Sequence, residues 1–246
     1  MSGGRGEGSE TLREEVHRVP VGDQKLALVL HLPLGTPAPG VVACHGVGAS
    51  KDSEKYLLFG REFPLAGLAL CRFDFRGSGE SDGACAESTV ASRIADLEAV
   101  LDFLAGHRAL TGRCGLLGSS LGGFIALCVA ARRSPPMPVV TWNAPTTLRG
   151  LVKNRSADVV GLGRAFFEEL EHGSLADTPP GVPFSLTIQA ERDEVVPPEH
   201  GRVLFERAAD PKELHILKGA DHRLSDLTHR VQAVGLSVRW LTRYLS

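Results

Sequence analysis

This chain of 246 residues lacks the long hydrophobic runs that a membrane-spanning helix needs. Its apolar stretches are short, as over residues 125–131. The first eleven residues are rich in glycine, serine and charge and contain no apolar segment. We therefore expect no secretory signal peptide here, and a flexible tail over residues 1–12.

An excess of either charge is also missing. The 27 lysines and arginines nearly balance 29 aspartates and glutamates, which gives a formal net charge of −2. Both signs are mixed along the chain, so we expect neither a nucleic-acid nor a membrane-surface partner.

The sequence contains few cysteines, and their spacing shows no pairing motif. There are five, an odd number, and no two have the C-x-x-C spacing of a metal or redox motif. This argues against a disulfide framework and against a zinc site, and it predicts reduced packing residues in a cytoplasmic protein without a metal. Cys44 continues the apolar strand at residues 41–43, so we interpret it as a packing residue.

What the sequence does contain is a regular alternation of strand and helix patterns. The predicted strands are residues 14–19, 25–32, 41–44, 68–73, 113–117, 139–142, 185–190 and 213–217. The predicted helices are residues 53–65, 90–104, 123–133 and 227–245, the last with Val231, Val234, Val238 and Leu241 facing inward. The first two strands would form an antiparallel pair. The remaining alternation predicts one α/β domain over residues 13–246, with a mostly parallel sheet of about eight strands and helices on both faces.

One segment, residues 146–181, departs from this rhythm. Its periodicity is weak and it contains several glycines. Its position favours a small helical lid over the carboxyl edge of the sheet, where open α/β sheets bind ligands. Phe166 and Phe167 would then line a pocket. The alternative is an ordinary crossover helix at residues 160–171.

The most informative motif is Gly-Ser-Ser-Leu-Gly at residues 118–122. It has the form G-x-S-x-G and lies between a short buried strand and an apolar helix, the setting of a nucleophile elbow that exposes Ser120. Gly118 and Gly122 stand where side chains would crowd the sharp turn. The helix N-terminus would favour developing negative charge. The alternative is a plain glycine–serine turn.

Two later residues complete a catalytic pattern. Asp193 and His222 follow Ser120 in the chain order of α/β-hydrolases. A serine hydroxyl needs a base, which imidazole can supply, and a carboxylate can hold the imidazole in the required tautomer. Ser119 and Asp221 compete for the serine and carboxylate roles. Ser119 does not fit the motif, since the residue two positions upstream is Leu117 rather than glycine. Asp221 is adjacent to His222, where two side chains rarely align for a buried contact.

Together these residues resemble the compact serine-esterase and serine-aminopeptidase-like group of α/β-hydrolases, which includes cinnamoyl and feruloyl esterases. The resemblance extends from about Val16 onward and rests on residues 45–46, 72–81, 118–122, 193–197 and 221–222. It implies Ser120 as nucleophile and a reaction without cofactor.

The resemblance also implies an oxyanion hole. One donor would be the backbone N–H of Leu121, directly after the nucleophile, and the family pattern places the other at Val47. Gly46 would let this loop approach the substrate, and His45 would shape the loop by hydrogen bonding.

The expected function is hydrolysis of a small-molecule carboxylic ester through an acyl-enzyme. A peptidase, an amidase or a thioesterase would use the same triad. An aminopeptidase needs an acidic anchor, for which Glu168 and Glu169 are available, although a charged helix face explains them equally well. A non-catalytic scaffold that acts as a binding protein is a third alternative.

Overall fold

The computed structural model describes residues 12–150, 161–173 and 175–246. The tail predicted over residues 1–12, apart from Leu12, and the central part of the predicted lid, residues 151–160, lie outside the described residues.

The described strands form one eight-stranded sheet in the order β1-β2-β4-β3-β5-β6-β7-β8. They are β1 (Arg13–Val21), β2 (Gln24–Leu32), β3 (Ala38–Cys44), β4 (Ala69–Phe73), β5 (Leu110–Ser119), β6 (Val139–Trp142), β7 (Ser185–Ala190) and β8 (Lys212–Leu217). Strand β2 pairs antiparallel with β1 and with β4, and all the other pairs are parallel. The predicted α/β class, with a mostly parallel sheet, is confirmed.

Helices cover both faces of this sheet. Those described are α1 (Glu54–Leu65), α2 (Val90–Ala105), α3 (Leu121–Ala130), α4 (Arg164–His172), α5 (Glu199–Arg207) and α6 (Leu227–Leu245), with a short 3₁₀ helix at Cys85–Glu87. None of these helices combines the length and the hydrophobicity needed to cross a membrane.

The hydrophobic core is divided by the sheet into two layers. One layer packs the sheet against α2 and α3, and the other packs it against α1 and α6. Strand β3 contributes to both, since Val42 and Cys44 lie in the first layer and Val41 and Ala43 in the second. Period-two alternation between two covered faces explains why this strand is apolar throughout.

Helix α6 has the predicted bounds, but its buried face is displaced from the predicted one. Val231 is 53% exposed, so the prediction that it faces inward is wrong. The buried side of the helix runs through Val234, Trp240 and Leu241. Val231 lies beside that face, near the start of the helix. The packing of the other helix residues sets the rotation of α6 about its own axis.

An aromatic cluster under α1 offers a test of the second core layer. The ring of Phe59 lies 4.9 Å from Trp142, 5.4 Å from Tyr56 and 5.8 Å from Phe63, measured between centroids. Its side chain is fully buried, whereas Leu57 on the same helix is 44% exposed.

We expect Phe59→Ala to lower the free energy of unfolding by about 3–5 kcal/mol, because it leaves a cavity among these rings. The control Leu57→Ala should change it by less than about 1 kcal/mol, as for other surface sites. Urea unfolding followed by fluorescence measures both. Equal losses for the two variants would contradict this packing.

Candidate active site

Ser120 occupies the sharp turn between β5 and α3. Its backbone has φ 55° and ψ −126°, a conformation that non-glycine residues rarely adopt. The turn is held on both sides. The N–H of Ser120 donates to the carbonyl of Trp142 at 2.9 Å, and its carbonyl accepts from Gly123 N–H at 2.9 Å. This strained position at the end of a central strand has the local geometry that a nucleophile elbow requires.

The glycines around Ser120 allow three backbone segments to approach closely. A Cβ atom at Gly122 would lie 2.2 Å from the carbonyl oxygen of Cys44, and one at Gly118 would lie 2.3 Å from the carbonyl oxygen of Gly122. On the neighbouring loop, a Cβ at Gly46 would lie 3.1 Å from the Cβ of Ser120. The first two approaches have no room for a side chain.

Asp193 and His222 meet at the same edge of the sheet. Nδ1 of His222 lies 2.8 Å from both carboxylate oxygens of Asp193. The Asp193 side chain is fully buried. One of its oxygens also accepts from the backbone N–H groups of Val195 at 2.9 Å and Val196 at 2.7 Å. The carboxylate is therefore well supplied with donors, and it fixes Nδ1–H as the donor of the imidazole ring.

The competing residues have other contacts. Oδ1 of Asp221 accepts from the N–H of Ser225 at 2.8 Å and so closes the turn after His222. Ser119 is buried, and its hydroxyl accepts from Nζ of Lys55 at 2.8 Å. Burial, and then the nearby positive charges of Arg230 and Arg223, lower the pKa of Lys55 to about 8. Asp193 is thus the carboxylate that reaches His222.

His45 binds the loop that follows β3. The N–H of Phe75 donates to Nε2 of His45 at 3.1 Å, so the ring proton lies on Nδ1, which donates to the carbonyl of Gly46 at 2.8 Å. Burial, reinforced by the charges of Arg93 and Lys55, lowers the pKa of His45 to about 3. The ring is therefore neutral near physiological pH and tethers the Gly46 loop to the segment that follows β4.

The structure connects Ser120 and His222 through the backbone rather than side chain to side chain. Within the described part of the chain, no hydrogen bond joins the Ser120 hydroxyl to the His222 ring. Instead, Trp142 accepts from the Ser120 N–H, and the next residue, Asn143, donates from Nδ2 to the carbonyl of His222 at 2.8 Å. Sequence reasoning missed Asn143. The available signal was its position directly after β6, at the carboxyl edge of the sheet.

Of the two expected oxyanion donors, Leu121 directly follows Ser120, and Val47 lies in the loop whose Gly46 approaches Ser120. Leu121 is the first residue of α3, where backbone N–H groups have no partner inside the helix. Val47 follows Gly46 in the loop tethered by His45, and it is half-buried.

The expected pocket residues have different surroundings. Phe166 has no exposed surface and packs in the core, so only Phe167, which is half-buried, has surface to offer a ligand. Their helix α4 buries Phe166 and Leu170, as a packed crossover helix does. The lid interpretation of residues 146–181, whose central part at 151–160 lies outside the described residues, remains a prediction.

A possible metal cluster lies elsewhere, on β1 and after α2. Nε2 of His17 and Nε2 of His107 lie 3.1 and 3.0 Å from the same oxygen of Glu15. Nδ1 of His107, however, accepts from the N–H of Ala109 at 3.3 Å, which places the ring proton on Nε2. That nitrogen donates to Glu15 and is not free to ligate a metal.

Parts of this sequence are similar to known proteins. Residues 35–151 match the serine aminopeptidase S33 family. Mouse mitochondrial palmitoyl-protein thioesterase ABHD10 is 26% identical over 216 residues, which cover 76% of this chain and 70% of the relative.

Two solved structures extend the likeness over nearly the whole chain. The mouse α/β hydrolase domain-containing protein 10 superposes with a TM-score of 0.77 at 22% identity, and covers 94% of this chain and 100% of that one. Est1E from Butyrivibrio proteoclasticus, with ferulic acid bound, gives 0.76 at 16% identity, with 93% and 97% covered. The α/β-hydrolase fold predicted from the sequence is confirmed.

The close backbone approach at Gly122 gives a test of the elbow. We expect Gly122→Ala to destabilise or unfold the protein, because its Cβ would overlap the carbonyl of Cys44. The control is Gly235→Ala in α6, where the nearest atom would be 3.9 Å away. This control should have a free energy of unfolding roughly 0.5–1 kcal/mol higher than the parent, since alanine is more favourable than glycine in a helix interior. Thermal unfolding measures both, and a Gly122→Ala protein as stable as the parent would contradict the crowded turn.

Proposed function

Because this chain is a member of the α/β-hydrolase family, we propose that it is a serine hydrolase that cleaves carboxylic esters through an acyl-enzyme. One observation supports this proposal above the others: Nδ1 of His222 lies 2.8 Å from both oxygens of the buried Asp193 carboxylate, at the sheet edge that carries Ser120. An imidazole held in this way has its other nitrogen available to act as a base.

In the proposed reaction, the hydroxyl oxygen of Ser120 attacks the ester carbonyl while Nε2 of His222 takes the hydroxyl proton. The Asp193 carboxylate stabilises the imidazolium that forms. The tetrahedral intermediate collapses to an acyl-enzyme, and His222 returns the proton to the departing alcohol. Water then attacks the acyl group by the same route, with His222 again as base, and releases the carboxylic acid.

Charge on the tetrahedral oxygen would be met by the backbone N–H groups of Leu121 and Val47. Both donors are aimed by the fold rather than by their own side chains. Leu121 is fixed by the start of α3, and Val47 by the loop that His45 tethers. One such donor typically contributes about 2.7–4 kcal/mol to transition-state stabilisation.

The described contacts favour ester substrates over the peptide substrates of an aminopeptidase. The carboxylate of Glu169 accepts from the backbone N–H groups of Val90 and Ala91 and so caps α2. Glu168 pairs with Arg164 one turn earlier in α4. Both of the expected acidic anchors are thus engaged in local structure.

Thioesters form a second candidate class. The mouse relative is named a palmitoyl-protein thioesterase, and its similarity covers 76% of this chain. Oxygen and sulfur esters pass through the same tetrahedral intermediate, so one triad and one oxyanion hole can serve both.

Replacement of the triad should remove turnover while leaving the fold intact. We expect Ser120→Ala and His222→Ala each to lower kcat by roughly 10⁴–10⁶-fold, and Asp193→Asn by roughly 10⁴-fold. The competitors Ser119→Ala and Asp221→Asn should stay within about tenfold of the parent, a difference of about 1.4 kcal/mol. Hydrolysis of p-nitrophenyl butyrate, with circular dichroism as the folding control, measures all five.

Wild-type turnover in a folded Ser120→Ala protein would contradict the proposal. So would a complete lack of hydrolysis by the folded parent chain on every acyl substrate tried, which would favour the scaffold alternative.

A matched substrate panel should separate the hydrolase classes. With one acyl group presented as an oxygen ester, a thioester and an anilide, we expect the first two to exceed the anilide in kcat/KM by at least about tenfold. An aminoacyl anilide as the best substrate would contradict the ester proposal and indicate an aminopeptidase.

A further inference from the structure

The end of β6 contacts all three chain segments that carry the proposed triad. We propose that Asn143, which directly follows this strand, is a positioning residue that holds His222 against the segment leading to Asp193. The inference rests on the proposed serine hydrolase activity and adds a residue to it.

Three hydrogen bonds fix Asn143. Its N–H donates to the carbonyl of Ile188 at 2.9 Å, its Oδ1 accepts from the N–H of Ala190 at 2.7 Å, and its Nδ2 donates to the carbonyl of His222 at 2.8 Å. The side chain is buried, with 1% of the residue exposed. One amide thus joins the end of β7, three residues before Asp193, to the backbone of His222.

The third segment is connected through the preceding residue. The carbonyl of Trp142 accepts from the N–H of Ser120 at 2.9 Å. Trp142 is itself held in place, since its indole N–H donates to the hydroxyl of Ser237 in α6 at 3.0 Å and its side chain is fully buried. Residues 142 and 143 therefore form a fixed junction between the nucleophile, the base and the segment that carries the acid.

Chemistry restricts which residue can occupy position 143. The site needs an acceptor facing the N–H of Ala190 and a donor facing the carbonyl of His222, and only an amide of this length offers both. The backbone has φ 51°, a region that asparagine enters more readily than most residues. An aspartate would have the same shape, but it would place a second acceptor against the carbonyl of His222.

The contact matters because it fixes His222 at two points. The side chain is held by Asp193, and the main chain is held by Asn143. With both, the imidazole can only present Nε2 in one direction; with the first alone, the residue can pivot about the Asp193 contact. We therefore expect removal of the Asn143 contact to slow the chemical step rather than to weaken substrate binding.

The first variant is Asn143→Asp, which keeps the acceptor and the shape, replaces the donor with a second acceptor and adds a carboxylate charge, whereas Asn143→Ala removes the contact without adding charge. We expect kcat to fall by about 10–100-fold, as for small misplacements of a catalytic group, with little change in KM. The downfield proton resonance of the His222 Nδ1–H should broaden or shift, because the Asp193 contact is no longer held from the main-chain side. Asn143→Ala should do the same or more, and if it fails to fold, the aspartate variant decides.

The control is Thr141→Val, an isosteric change at a buried residue of the same strand whose hydroxyl has no hydrogen-bond partner among the described residues. It should leave kcat and the resonance as in the parent. If Asn143→Asp keeps the parent kcat and the parent resonance while Ser120→Ala loses turnover, the positioning role is overturned and the hydrolase proposal stands. If Asn143→Asp loses only stability, with kcat of the folded fraction and the resonance unchanged, the role is likewise overturned. Retention of activity by Ser120→Ala overturns the proposed function itself.

Discussion

The hydrogen bond between the His222 ring and the buried Asp193 carboxylate is the interaction on which the proposed site depends. A carboxylate without solvent contact is costly unless donors surround it. Here the backbone N–H groups of Val195 and Val196 supply two, Nδ1 of His222 supplies a third at 2.8 Å, and Nε2 of Gln189 supplies a fourth at 3.3 Å. The donors that make Asp193 tolerable inside the protein also fix its direction, and through it the direction of the imidazole.

The parallel sheet brings these groups together. Strands β3, β5, β6 and β7 run in the same direction, so their carboxyl ends share one edge. The segments that leave this edge carry the Gly46 loop, Ser120, Asn143 and Asp193. Because Gly122 and Gly118 lack side chains, the elbow packs directly on the neighbouring backbone. The close backbone packing of the elbow and the strained φ of Ser120 both result from the sharp turn at this position.

The sequence predicted what local pattern can specify. Strands β6 and β7 and helix α6 have the predicted bounds, since each is a distinct apolar or amphipathic run. Helix α5 was missed because only Gly201 and Leu204 are buried in its nine residues, too few for a helical stripe. Asp193 was preferred over Asp221 because the side chains of two adjacent residues, such as Asp221 and His222, rarely align for a buried contact. Asn143 was missed, because its position after a strand indicates only the carboxyl edge of the sheet, and its contacts arise only when distant loops meet.

In the proposed reaction, one hydroxyl, that of Ser120, is made nucleophilic by His222. The most direct measurement treats the native chain with a fluorophosphonate and maps the modified residue by peptide mass spectrometry. We expect one adduct per chain, on Ser120, which is lost when His222 is replaced. An adduct on Ser119 or another serine, or labelling of Ser120 that persists without His222, would contradict it.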